Sequence, residues 1–322
     1  MMRPTYQISI GSEEFSTENG NDFVIGIHVI RSVGLPTDSC EVYLVGNKDY
    51  SFERDDDVKI KLGYDEELVS VFSGFVDEIE YGTSMVRLTA LGPALGLLRL
   101  RINRVYLNQT AGKIVQDLVK EANLTIAEAS DGINLPTYVV DDTANAYEHI
   151  LRLAERCNFV VYITDDDKLL FKEWNGSKKH SLQYGKDLIR VEELDFVPLY
   201  VSTRVYGESP ASVKGAETSH WLTKQEIKSE AGSGDVLSIA DAAIRDTETA
   251  ETVAKAKLDK LKYTFAAVVE TVGNPDIKVG NTITLADMPN SAVLGDLEVR
   301  GVEHYLSTIK GFTTKIDCWM KR

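Results

Sequence analysis

Two stretches of the chain are written in the same pattern, and that repeat limits what the whole can fold into. Near the C-terminus the runs Val279–Leu285, Gly295–Tyr305 and Gly311–Asp317 alternate apolar and polar residues, with turn-forming residues between them. Short alternating runs punctuated in this way mark consecutive antiparallel strands, a β-meander. Similar text occurs earlier as Asp57–Gly63, Gly74–Tyr81 and Met85–Ala90. Val76-x-x-Ile79-Glu80 lines up with Val299-x-x-Val302-Glu303, and Val58-x-Ile60-x-Leu62 with Thr282–Leu285 after a one-residue adjustment. Two β modules of common design, far apart in one chain, are the expectation. Any two antiparallel meanders look alike at this level, so the strand order has to decide whether the design is repeated.

At 322 residues the chain is too long for one compact core and suits two or three domains. Its 43% hydrophobic and 26% charged residues, with no low-complexity tract, are those of a folded soluble protein. Lys and Arg number 35 against 50 Asp and Glu, and the resulting net charge of −15 repels duplex DNA rather than gripping it. Cys40, Cys157 and Cys318 lack any C-x-x-C spacing, so neither a disulfide framework nor a zinc site is indicated. Met1-Met2-Arg3 leads into the alternating strand Tyr6–Ile10 rather than the apolar core of a signal peptide. The most apolar stretch, Leu88–Ile102, is broken by Gly92, Pro93, Gly96, Arg99 and Arg101 and cannot span a bilayer. Direct nucleic-acid recognition and membrane insertion are therefore not expected.

Residues 1–104 read as almost entirely β, with strands over Tyr6–Ile10, Phe23–Arg31, Glu41–Val45, Asp57–Gly63, Leu68–Tyr81 and Met85–Leu91. Turns fall at Glu18-Asn19-Gly20-Asn21 and Gly34-Leu35-Pro36, and so many short strands suggest a sandwich or barrel. The run Phe23–Ile30 is apolar on both faces except for His28, which predicts a strand covered on both sides. Thr110 then caps a helix with Ile114, Val115, Leu118, Val119 and Ala122 on one face, and Asn123 suits its end. A second helix follows Asp141-Asp142-Thr143, with Tyr147, Ile150, Leu151 and Ala154 on one face and Asn158 at its close. Phe159–Ile163 and Leu169–Trp174 form a hairpin whose tip carries Asp165, Asp166 and Asp167, read as a solvated turn rather than a calcium loop.

The domain expectation is thus a first β-barrel over 1–104, a small α/β domain over 105–190 and a second β-barrel over 191–322. That last module is interrupted by an insertion at about 208–262. Within the insertion the chain is polar and irregular to about Asp246, with an exposed loop at Ala231–Asp235 and then a helix over Thr249–Leu261. The fold class is mainly β with an α+β insert.

No recognised nucleophile, phosphate-loop, dinucleotide or zinc-protease motif occurs, and His149, His180, His220 and His304 stand apart in sequence. His28 has no second ligand-type residue beside it. His304 takes the place that Tyr81 fills in the first module, an ordinary strand position. Carboxylate pairs are uninformative, since 50 acids always offer some at catalytic spacing. No catalytic, cofactor-binding or metal-binding residue is therefore assigned.

The arrangement resembles the central hub of contractile phage tail baseplates, the late-control-D family, and the N-terminal hub part of the VgrG spike proteins of type VI secretion. The resemblance runs over nearly the whole chain. It is carried by Thr110–Leu118, Asp142–Glu155, the hairpin Phe159–Ile163 with Lys168–Phe171, and the closing Val302–Leu306 with Gly311–Thr314. It implies two tube-like β-barrels per chain and three chains per ring, a homotrimeric adaptor between a hexameric tail tube and a trimeric spike. It further implies a virion tail baseplate or injection particle as location, synthesis in the bacterial host cytoplasm, and contacts with a tail tube protein, other baseplate proteins and the tape measure protein. VgrG chains continue into a further β-barrel and needle, whereas this sequence stops at Arg322, so a separate spike protein is expected. Two other readings stay open at this stage: a tail-associated peptidoglycan hydrolase working through an acid pair, and a glycan-binding protein stacking sugars on Trp174 and Trp221.

Overall fold

The computed structural model describes residues 3–18, 23–208, 226–289 and 295–321. The first module comprises β1 (Pro4–Ile10), β2 (Glu13–Ser16), β3 (Val24–Ser32), β4 (Ser39–Val45), β5 (Asp57–Tyr64), β6 (Glu67–Tyr81) and β7 (Met85–Leu91). Along the sheet they run β1-β5-β6-β7-β4-β3, each neighbour antiparallel, with β2 flanking β1. In β5 the apolar Val58, Ile60 and Leu62 are buried while Asp57, Lys59 and Lys61 face solvent, the alternation visible in the sequence. Every strand contributes buried apolar residues, β2 only Phe15, to one cluster that contains no helix. A sheet whose inner face is fully covered without a second layer must roll around its own core.

A second unit follows. It contains α1 (Leu95–Arg99), β8 (Arg104–Thr110), α2 (Ala111–Glu121), β9 (Thr125–Ala129), β10 (Asn134–Val140), α3 (Ala146–Cys157), β11 (Val160–Ile163) and β12 (Lys168–Lys172). The caps are those the sequence predicts: the Thr110 hydroxyl accepts from Lys113 N–H, and Asn158 closes α3 in the left-handed conformation. The chain then enters β13 (Lys179–Gln183) and β14 (Leu188–Asp195), and continues through β15 (Ser202–Tyr206), β16 (Lys228–Gly232), β17 (Val236–Ala240) and α4 (Thr247–Leu261). It finishes with β18 (Tyr263–Val272), β19 (Thr282–Ala286), β20 (Leu297–Ser307) and β21 (Gly311–Lys321).

Strand order settles the question of repetition. The second module reads β13-β19-β20-β21-β18-β14 along the sheet, which is the first module's order strand for strand. The irregularities repeat as well. The pairing of β6 with β7 shifts register between Val76 and Glu78, and that of β20 with β21 shifts between Val299 and Gly301. Pairing of β3 with β4 shifts between Val24 and Gly26, and of β14 with β18 between Leu188 and Arg190. Bulges are placed features of a sheet, so their recurrence at equivalent positions marks one design used twice. Asp55 and Gly280, both at positive φ, each donate a backbone hydrogen bond to the equivalent carbonyl, Val76 O and Val299 O. One detail differs: β1 is antiparallel to β5, whereas β13 is parallel to β19.

Three departures from the sequence reading concern the middle of the chain. Strands β13 and β14 pair within the large sheet, and Leu182 lies in the second module's core, so position 190 falls inside a strand of that module. The stretch read as polar and irregular contains β16 and β17, which flank β15 in a three-stranded sheet; Lys228-Ser229-Glu230-Ala231-Gly232 is an edge strand too polar to alternate visibly. Finally, β15, α4 and the Ile227 and Ile244 side chains share one core with α2 and α3 rather than with either β module. The turn expected at residues 18–21 and the stretch Ser209–Pro210 lie mostly or wholly outside the described residues.

Candidate assembly interface

The two modules meet edge to edge inside the chain. Beyond its bulge, β20 leaves β19 and takes β3 as its neighbour, from Gly301 opposite Ser32 to Ser307 opposite Gly26. The two-sided cover expected for Phe23–Ile30 is only partly met: β3 is an interior strand between β4 and β20, with Val24, Ile27 and Val29 buried and Ile25, His28 and Ile30 on the other face half-buried. Leu306 and Phe312 of the second module sit in the first module's core. Across the seam, His28 Nε2 lies 3.3 Å from the Glu303 carboxylate, and Lys315 Nζ lies 2.9 Å from it. These partners, led by His28, hold the Glu303 carboxyl down at about 2 against the opposing effect of partial burial.

An ionic node ties the third unit to this seam. Arg31, buried on β3, donates from Nε to Asp38 at 2.9 Å, from Nη1 to Asp165 at 2.7 Å and from Nη2 to Ile163 O at 2.9 Å. Asp165 also meets Lys278 Nζ at 2.8 Å. Burial raises the pKa of Asp38 while Arg31 opposes that shift; burial weakens the Arg31 charge, but the two carboxylates more than restore it. The Asp165–Asp167 turn is therefore not merely solvated. Its first acid is a keystone between the first module, the α/β unit and the second module, a role that only the tertiary fold reveals.

The other residues weighed from sequence have structural places. His304 is buried beside Thr314, 3.0 Å from its hydroxyl, and burial lowers its pKa to about 3, so it is neutral. The register puts it where Tyr81 stands in the first module, opposite Thr314 as Tyr81 is opposite Val86. His149 lies between the Tyr138 hydroxyl and Asp141 O, and His180 faces the Asn281 side chain at 3.0 Å. Trp174 stacks under the Arg300 guanidinium, which also covers Tyr263, in the wall of an apolar groove of about 700 Å³. His220 and Trp221 lie outside the described residues. No helix among the described residues is long and apolar enough to cross a membrane.

Besides the short β2 and β13, each with a single strand neighbour, the large sheet keeps two edges open among the described residues. One is β14, which pairs with β18 alone and ends the strand path. The other is the C-terminal half of β6: after Val76, which bonds to Asp55 and Asp56, it pairs only with β7. Both edges carry apolar residues in solvent, with Tyr81 67% exposed on β6 and Leu194 60% on β14, and Val197 and Leu199 are exposed in the segment that follows β14. Apolar strand edges of this kind call for a partner.

A twice-used rolled sheet around a small α/β unit is an architecture found in solved tail proteins. The chain superposes on the 43 kDa tail protein of prophage MuSo2 from Shewanella oneidensis with a TM-score of 0.74 at 13% identity, covering 98% of both chains. It superposes on a tail protein from Neisseria meningitidis with a TM-score of 0.73 at 11% identity, covering 99% of this chain and 97% of that one. The E. coli c3393 protein, a component of the type VI secretion system with structural similarity to the T4 bacteriophage tail proteins gp27 and gp5, gives 0.62 at 10% identity, covering 98% and 76%. No curated protein matches by sequence. Residues 53–308 match the model of the phage tail baseplate hub (GPD) family, and the chain belongs to that family.

Proposed function

We propose that this chain is a non-enzymatic hub of a contractile tail or related injection apparatus, acting as a homotrimeric adaptor between a sixfold tail tube and a threefold spike. The observation that carries the reading is the duplication itself. Three copies of a chain that folds one sheet design twice offer six similar surfaces to the tube, while the α/β unit, present once per chain, preserves a threefold face for the spike. A tail tube protein, a separate spike protein, other baseplate proteins and the tape measure protein are the partners this reading names, in an assembled tail put together in the bacterial host. Family membership and the fold support it.

The role of the acids is then structural and electrostatic rather than catalytic: Asp38, Asp165 and Glu303 are each committed to a basic partner. The test is co-purification with a tail tube protein and a spike protein of the same tail. Three hubs bound to a hexameric tube ring and one trimeric spike is the expected stoichiometry. Clearing of peptidoglycan in a zymogram by this chain alone, without binding to either partner, would instead establish a hydrolase.

A further inference from the structure

The seam inside the chain is a template for the joint between chains. We infer that the open half of β6 in one copy pairs antiparallel with β14 of the next, in the register that β20 keeps with β3; this rests on the trimeric reading above. The equivalence is fixed by the repeated bulges. Aligning Val76 with Val299 makes Glu78, Ile79, Glu80 and Tyr81 the counterparts of Gly301, Val302, Glu303 and His304. Aligning Leu188 with Val24 makes Glu193, Leu194, Asp195 and Phe196 the counterparts of Val29, Ile30, Arg31 and Ser32. Within the chain, Gly301 faces Ser32, Glu303 faces Ile30 and His304 faces Val29. Carried over to the joint, Glu78 faces Phe196, Ile79 faces Asp195, Glu80 faces Leu194 and Tyr81 faces Glu193 of the neighbouring copy.

Charge provides an independent check on that register. Both edges are acidic, with Asp77, Glu78 and Glu80 on one and Glu192, Glu193 and Asp195 on the other. In the register carried over from the seam, no acid stands opposite an acid. A slip of one residue in one direction sets Glu80 against Glu193 and Glu78 against Asp195; a slip in the other sets Glu80 against Asp195. Directly opposed like charges destabilise a strand pair, and a slip also turns each inward side chain outward. Geometry and electrostatics thus select the same pairing. The joint would cover Tyr81 and Leu194, one exposed apolar residue on each edge.

The pairing can be read with cysteines in the full chain. Val33 N–H donates to Arg300 O at the start of the template seam, so Glu303 and Ile30 face each other across a non-hydrogen-bonded position. Such pairs bring Cα atoms to about 4.5 Å, within disulfide reach. Glu80→Cys combined with Leu194→Cys should shift most of the monomer band to dimers and closed covalent trimers on mild oxidation. Each single variant, and the slipped pair Glu80→Cys with Glu193→Cys, should stay largely monomeric on a non-reducing gel. Native mass of the reduced variants reports the assembly separately. Three copies without the Glu80–Leu194 cross-link, or with the slipped pair cross-linking better, overturns the joint and leaves the trimeric reading standing. A single copy at every concentration, with no cross-link, overturns both.

Discussion

Arg31 ties two units of the fold together: it is buried and shared between Asp38 of its own module and Asp165 on the α/β hairpin. Its worth lies in what its removal would leave behind. A buried ion pair adds little net stability over an apolar substitute, but deleting one partner strands the other charge out of water. Arg31→Ala should therefore cost about 3–5 kcal/mol, measured as the shift in a denaturant unfolding curve. Arg31→Lys should recover only part of that, because an ammonium cannot reproduce the forked contacts to Asp38, Asp165 and Ile163 O. A loss under about 1 kcal/mol for the alanine variant would remove the node from the account. Sequence indicated the turn carrying Asp165 but not its partner, since the two positions lie 134 residues apart and no local pattern records that separation.

Strand pairing explains both how much could be read in advance and where reading stopped. Val58, Ile60 and Leu62, the bulge-flanking Val76 and Val299, and the capping Thr110 and Asn158 all announce themselves through alternation or local chemistry, and the elements built on them stand where expected. Strand β16 is short and polar, and β13 is parallel to a strand about 100 residues away, so neither leaves a local signature. The site followed the same rule: the apolar run of β3 was legible in the sequence, but its pairing with β20 and the half-buried second face of Ile25, His28 and Ile30 were legible only in the fold. The seam between β3 and β20 also has a pH signature. Glu303 sits at about 2 when folded against an ordinary value of 4.5, so it contributes stability above about pH 4.5 that is lost as pH falls toward 2. Unfolding midpoints taken between those values should fall more steeply for the native chain than for Glu303→Gln. Parallel slopes would show that the carboxylate does not lock the seam.

At the scale of the whole molecule, one chain carries two copies of a rolled sheet joined by a completed seam, and in the proposed trimer its open edges on β6 and β14 become the two halves of a second. A heterologous contact of this kind repeats head to tail until it closes or runs on as a filament. Closure at three chains makes six modules, the number a sixfold tube requires. Obligate interfaces between such subunits bury on the order of 2,000 Å² or more, so the free monomer should be a minor species. The decisive measurement is the native mass of the intact purified chain over a wide concentration range. The account predicts three copies, unchanged on dilution to low micromolar protein; a mass of one copy throughout, or a ladder that grows without stopping at three, would contradict it.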